Sequence, residues 1–107
     1  MERRKAQRYS LSLPVSIHAP TERRFPSRNG KTCDISSCGV YFVVEDDPGE
    51  GAVLNLTITV PAELTGGSEV LIHLIGTAVR VEGRVDGGVE MFGVAATFDS
   101  YEMAQTR

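Results

Sequence analysis

Two short stretches hold the residues whose types and spacing can do chemistry. "RKAQR" sets Arg4 and Arg8 four positions apart, and "DISSCG" gathers Asp34, Ser36 and Gly39 with a second serine, Ser37, and a cysteine. Paired guanidinium groups bind anions, and the distribution of charge suits that use. Met1 to Lys31 carries eight basic residues against two acids, a net of +6, whereas Thr32 to Arg107 carries three against twelve, a net of −9. An anion that binds this chain is expected to meet its first third. Taken singly, each stretch also has a plainer reading. Two arginines so spaced suit a solvated basic tail, and Asp and Ser satisfy backbone groups in a turn where Gly39 supplies a positive φ or a bulge before the next strand.

The elements that must position these residues read as strands. "YSLSLPVSI" alternates Tyr9, Leu11, Leu13, Val15 and Ile17 with polar residues, the period of a half-buried strand, and Pro14 within it suggests an edge or a bulge. "HAPTERRFPSRNG" is a loop, with Arg23, Arg24 and Arg28 solvated on it, and it leads into "KTCDIS", where alternation turns Cys33 and Ile35 inward and Asp34 and Ser36 outward. "GVYFVVE" and "AVLNLTITV" follow as strands. "EVLIHLIGTAVRVEG" is long, with Gly76 where a bulge or bend belongs, and "RVDGG" turns it back into "VEMFGVAATF" as a hairpin. Six strand-like segments result, which fit an antiparallel sandwich or a small closed barrel. After Phe98, "DSYEMAQTR" offers a cap at Asp99 or Ser100 and spacing for about two helical turns at most; no other helix is expected.

Composition narrows the classes. At 107 residues the chain is expected to form one domain. Its apolar runs are short, so membrane insertion is not expected, and "MERRKAQRYS" has positive charge without the apolar run of a signal peptide, which points to the cytoplasm. Cys33 and Cys38 lack zinc-ligand spacing and are expected to be reduced. His18 and His73 read as structural, and neither Ser36 nor Cys38 has the neighbours of a nucleophile, so no catalysis is expected.

In this order, with strands on either side, "RKAQR" and "DISSCG" resemble the signature of the PilZ family, an R-x-x-x-R arm followed some way on by [D/N]-x-S-x-x-G. "GTAVRVEG" and "FGVAATF" look like that family's later strands, so the resemblance covers essentially the whole chain. It implies a single PilZ domain over 1–107: a mobile N-terminal arginine arm (1–10), a six-stranded antiparallel β-barrel of the split-barrel type (11–98) and a short C-terminal helix or tail (99–107). It further implies a non-catalytic bacterial receptor for cyclic di-GMP, with no other cofactor and no metal.

The resemblance assigns ligand binding to Arg4, Arg8, Asp34, Ser36 and Gly39, with Arg3, Ser37 and Arg80 as further candidates. The chemistry suits that ligand. An arginine fork meets the adjacent guanine acceptors O6 and N7 and also grips phosphate, which a lysine cannot do bidentately. Asp34 accepts from guanine N–H donors that adenine lacks, Ser36 donates to the ligand, and Gly39 admits close approach to the backbone. The polar arm cannot bury enough surface to order itself, so ligand is expected to fold it onto the barrel and thereby signal to a downstream protein partner. Two rivals have other consequences: an adaptor of the same fold that binds only protein, and an OB-like barrel for single-stranded nucleic acid. Seven aromatics, mostly at apolar-periodic positions, leave few for stacking exposed bases, so DNA and RNA are not expected ligands.

Overall fold

Alternate burial of short apolar residues is what closes this chain into a ring of strands. A computed structural model describes residues 9–19 and 28–105, with side chains at all of these except 86 and 101–105. The strands are β1 (Pro14–His18), β2 (Arg28–Ile35), β3 (Gly39–Val44), β4 (Val53–Val60), β5 (Val70–Asp86) and β6 (Val89–Gln105), with one helical turn, α1 (Ala62–Thr65), between β4 and β5. Every pairing is antiparallel, and the order β1-β2-β3-β6-β5-β4 closes a barrel because β1 pairs with both β2 and β4. The interior is filled from alternate positions: Val15 and Ile17 from β1, Leu54, Leu56 and Ile58 from β4, and Phe42 and Val44 from β3.

The first expected strand is shorter than its apolar alternation. Leu13, Val15 and Ile17 are buried, but Tyr9 and Leu11 are exposed, and the ladder starts at Pro14, where a strand tolerates a missing N–H donor. Residues Tyr9–Leu13 form a lead-in held against β2. Thr32, the buried polar residue of the core, anchors it: the Leu13 N–H donates to Thr32 Oγ1 at 2.9 Å, that hydroxyl donates to the Leu11 carbonyl, and the Thr32 N–H donates to the Leu13 carbonyl at 3.0 Å. Thr32→Val keeps the shape but strips the Leu13 N–H of its acceptor in a dry site. A loss of about 1–3 kcal/mol in denaturant unfolding is expected, with Thr32→Ser recovering most of it; equal stability of the Val variant and the parent would refute this role.

Two register shifts bend the ladders, one between Thr32 and Asp34 in β2 and one between Ala78 and Arg80 in β5. The first corrects the expected alternation. Thr32, opposite Phe42, takes the inward position assigned to Cys33, and Cys33 becomes the extra, half-buried residue of a bulge. A third shift falls beside Gly76, where a bulge was expected, but its extra residue is Asp99 on β6, because Ile75 faces Ser100 and Gly76 faces Phe98.

Two further expectations are corrected. The segment after Phe98 is not helical: β6 continues to Gln105, pairing Ser100 with Ile75 and Gln105 with Val70. Two turns of isolated helix are marginal, whereas β5 offers this segment a full ladder of hydrogen bonds. The barrel strands therefore run over 14–105 and not 11–98. Conversely, one helical turn forms at Ala62–Thr65, where none was expected, and stops at Gly66 with φ of 77°. Among the described residues no helix is long and apolar enough to cross a membrane.

Candidate functional site

The two unforeseen bulges determine which side chains face outward. With Cys33 as the extra residue of β2, Asp34 lies opposite Tyr41, whereas uninterrupted pairing would have set it opposite the buried Val40. With Val79 as the extra residue of β5, Arg80 lies opposite Ala95 and not opposite the buried Val94. Since Tyr41 also pairs with Ala95, four residues form one row across four strands on the outer wall: Asp34, Tyr41, Ala95 and Arg80. Three strand spacings separate the ends of the row, roughly 14 Å. The small side chain of Ala95 leaves a groove in the row, of about 310 Å3, which Ser36, Cys38, Gly39, Val79 and Thr97 also line.

The turn between β2 and β3 forms one end of this groove. Ser36 organises it: its Oγ accepts from the Cys38 N–H at 3.1 Å and the Gly39 N–H at 3.2 Å, while its own N–H donates to the Gly39 carbonyl at 2.9 Å. Ser36, expected as a donor to ligand, thus also holds the turn together in the manner of a serine cap. Gly39 also has a role within the fold. Its φ is not positive, but a Cβ there would fall 2.5 Å from the Ala96 carbonyl oxygen, so the absent side chain lets β3 approach β6. Ser37 is exposed and faces the apolar barrel mouth lined by Ile58, Ile72, Leu74 and Phe98, not the groove.

Of the expected ligand residues, the structure therefore brings Asp34, Ser36, Gly39 and Arg80 to one groove; Arg3, Arg4 and Arg8 lie outside the described residues. The lead-in reaches the same place. The Tyr9 N–H donates to the Ile35 carbonyl at 2.8 Å and the Ile35 N–H donates to the Tyr9 carbonyl at 2.9 Å, fixing Tyr9 beside the residue that lies between Asp34 and Ser36. Arg28, expected on a solvated loop, begins β2 and pairs with Asp46. Cys33 and Cys38 are free thiols, and His73 Nδ1 lies 3.1 Å from Thr57 Oγ1, a cross-strand contact that suits a structural histidine.

Tyr41 is the groove residue that the sequence reading missed. Its hydroxyl donates to Glu82 Oε2 at 2.8 Å and accepts from Arg84 Nη1 at 3.4 Å, while Arg80 Nε lies 3.8 Å from Glu82 Oε1. Partial burial and the bond to the Glu82 carboxylate raise its pKa above the ordinary 10.0, against the opposing pull of Arg84, so the phenol is a proton donor at neutral pH. No local motif marks it, since its partners come from β5.

Comparison with known proteins agrees with this architecture. The family described as PilZ domain matches residues 2–106. Among solved structures, the Bacillus subtilis inhibitor of motility (MotI/DgrA) superposes with a TM-score of 0.73 at 21% identity, covering 95% of this chain and 45% of that one. The PilZ domain with c-di-GMP of YcgR from Escherichia coli superposes with a TM-score of 0.68 at 15% identity, covering 92% of this chain and 79% of that one. This chain thus spans less than half the length of the Bacillus protein, and at these identities the likeness is one of fold. No curated protein matches the chain in sequence.

Proposed function

The chain belongs to the PilZ domain family, and from that premise we propose that it is a non-catalytic, cytoplasmic receptor for cyclic di-GMP. The observation that carries the proposal is the convergence of Asp34, Ser36, Gly39 and Arg80 on one groove. Arg8 is the covalent neighbour of Tyr9, which is bridged to Ile35 between Asp34 and Ser36. The YcgR domain, similar in fold, is one with c-di-GMP.

In this reading Asp34 accepts from the guanine N–H edge, Arg80 faces the ligand from β5, and Arg4 and Arg8 close over it, gripping base and phosphate. Because Ser36 Oγ is already engaged with the turn, its role is to present backbone and hydroxyl in a fixed geometry and not to swing toward ligand. Closure of the arm changes the surface beside the groove, and a downstream protein partner reads that change. DNA, RNA and membrane insertion have no part in it.

The test is calorimetric titration of the full chain with cyclic di-GMP, with cyclic di-AMP as competitor. Saturable heat with the guanine ligand is expected, and binding of the adenine analogue at least about tenfold weaker, since it cannot satisfy Asp34. Absence of heat with cyclic di-GMP would reject the receptor and leave the second reading, an adaptor that recognises only protein.

A further inference from the structure

Tyr41 stands in the middle of the row that begins with Asp34, and its ring lies along the barrel wall. The register shows how. Tyr41 on β3 is opposite Ala95, and Gly93, two residues along β6 on the same outer face, is opposite Glu82 on β5. A side chain that starts opposite Ala95 and ends in a hydrogen bond to Glu82 must pass above Gly93. A Cβ at position 93 would fall 1.8 Å from the tyrosine hydroxyl oxygen and 2.6 Å from the ring carbon that bears it, so only glycine leaves the ring its place. The hydroxyl end of the ring thus lies over Gly93, and Tyr41 lines the groove that holds Asp34 and Arg80. Glu82 faces both groups through separate oxygens, Oε2 to the phenol at 2.8 Å and Oε1 to Arg80 Nε at 3.8 Å.

We propose that Tyr41 is the stacking platform for one purine base of the bound ligand, and that Glu82 is the residue that positions it. The inference rests on the cyclic di-GMP reading above and adds to it a contact with the face of the base, which neither Asp34 nor the arginine forks need supply. Adjacent strands lie about 4.8 Å apart, so an acid that reads the base edge and a ring that meets the base face stand side by side. A ring already tethered at its hydroxyl end has little rotamer freedom left to lose when a base lands on it.

The experiment titrates the parent, Tyr41→Leu, Tyr41→Trp and Glu82→Ala with cyclic di-GMP. Tyr41→Leu is expected to bind about five- to hundredfold more weakly, the span seen when a base-stacking aromatic is removed. Tyr41→Trp is expected to stay within about threefold of the parent, because indole also offers a π face. As the chain has no other tryptophan, its emission reports on position 41 alone and is expected to be quenched at saturation. Glu82→Ala is expected to weaken binding several-fold in the parent and to add little in the Tyr41→Leu background, as befits a residue that acts through another. Unchanged affinity of Tyr41→Leu, or an unquenched tryptophan in a variant that binds, overturns the platform. A parent that gives no heat rejects the receptor reading itself, a result distinct from either.

Discussion

Arg8→Ala is expected to weaken cyclic di-GMP binding by a hundredfold or more while leaving thermal stability unchanged. Each charge-assisted hydrogen bond contributes about 1.5–3 kcal/mol, and a guanidinium fork makes two, so the loss is large even after partial compensation by water. Tyr9, the described residue next to Arg8 in sequence, is itself 55% exposed. The informative companion is Arg8→Lys, which retains charge and loses the fork. If binding depends on the planar two-donor geometry, lysine restores little of it; if lysine restores parent affinity, the arm acts only as a diffuse positive charge and the clamp is wrong. Asp34→Ala supplies the matching loss from the barrel side, because it leaves the guanine donors with no side-chain acceptor at that position.

Phe42→Ala is the substitution expected to cost the fold most. Its ring is fully buried, between Thr32 on β2 and Val94 on β6, both themselves buried. Removing it forfeits about 3–5 kcal/mol of transfer and cavity energy, a fifth or more of the roughly 5–15 kcal/mol that holds a domain of this size. The melting midpoint is expected to drop by on the order of 15 °C or more. Ligand affinity is expected to fall with it, since Phe42 is the inward neighbour of Tyr41 and anchors the strand on which the groove depends. A destabilisation below about 1 kcal/mol would mean that β3 does not face the core as described.

How far the sequence foretold all this depends on where each signal resides. Alternation is local, so the inward residues of β1 and β4 were legible at once, as were the closing turn before β6 and the irregularity beside Gly76. Bulges are not local. Whether Cys33 or Thr32 turns inward is decided by Phe42 on the neighbouring strand, and Asp34 was placed on the correct face by an alternation that in fact breaks one residue earlier. The bulge at Val79 is likewise set by the partner strand, where Ala96 faces Ala78 and Ala95 faces Arg80. The helix expected after Phe98 had a plausible cap and spacing, but a long β5 exposes ladder groups that no inspection of "DSYEMAQTR" alone reveals. Tyr41 was missed because the glycine that gives its ring room and the carboxylate that tethers it belong to the later hairpin.

The spatial order β1-β2-β3-β6-β5-β4 has a consequence for the making of the protein. Asp34 and Tyr41 belong to the early part of the chain, Arg80 and Ala95 to the late part, and the two halves of the groove meet only along the seam between β3 and β6. A chain growing from its N-terminus can assemble β1, β2, β3 and β4 in succession while the recognition surface is still half absent. A product that stops before β6 keeps the acid, the ring and Arg80, but lacks Ala95 and the strand that joins β3 to β5 and so sets Arg80 in the same row. On the proposed reading, fragments that lack β6 are therefore expected to give no heat with cyclic di-GMP, even where they retain Asp34, Tyr41 and Arg80.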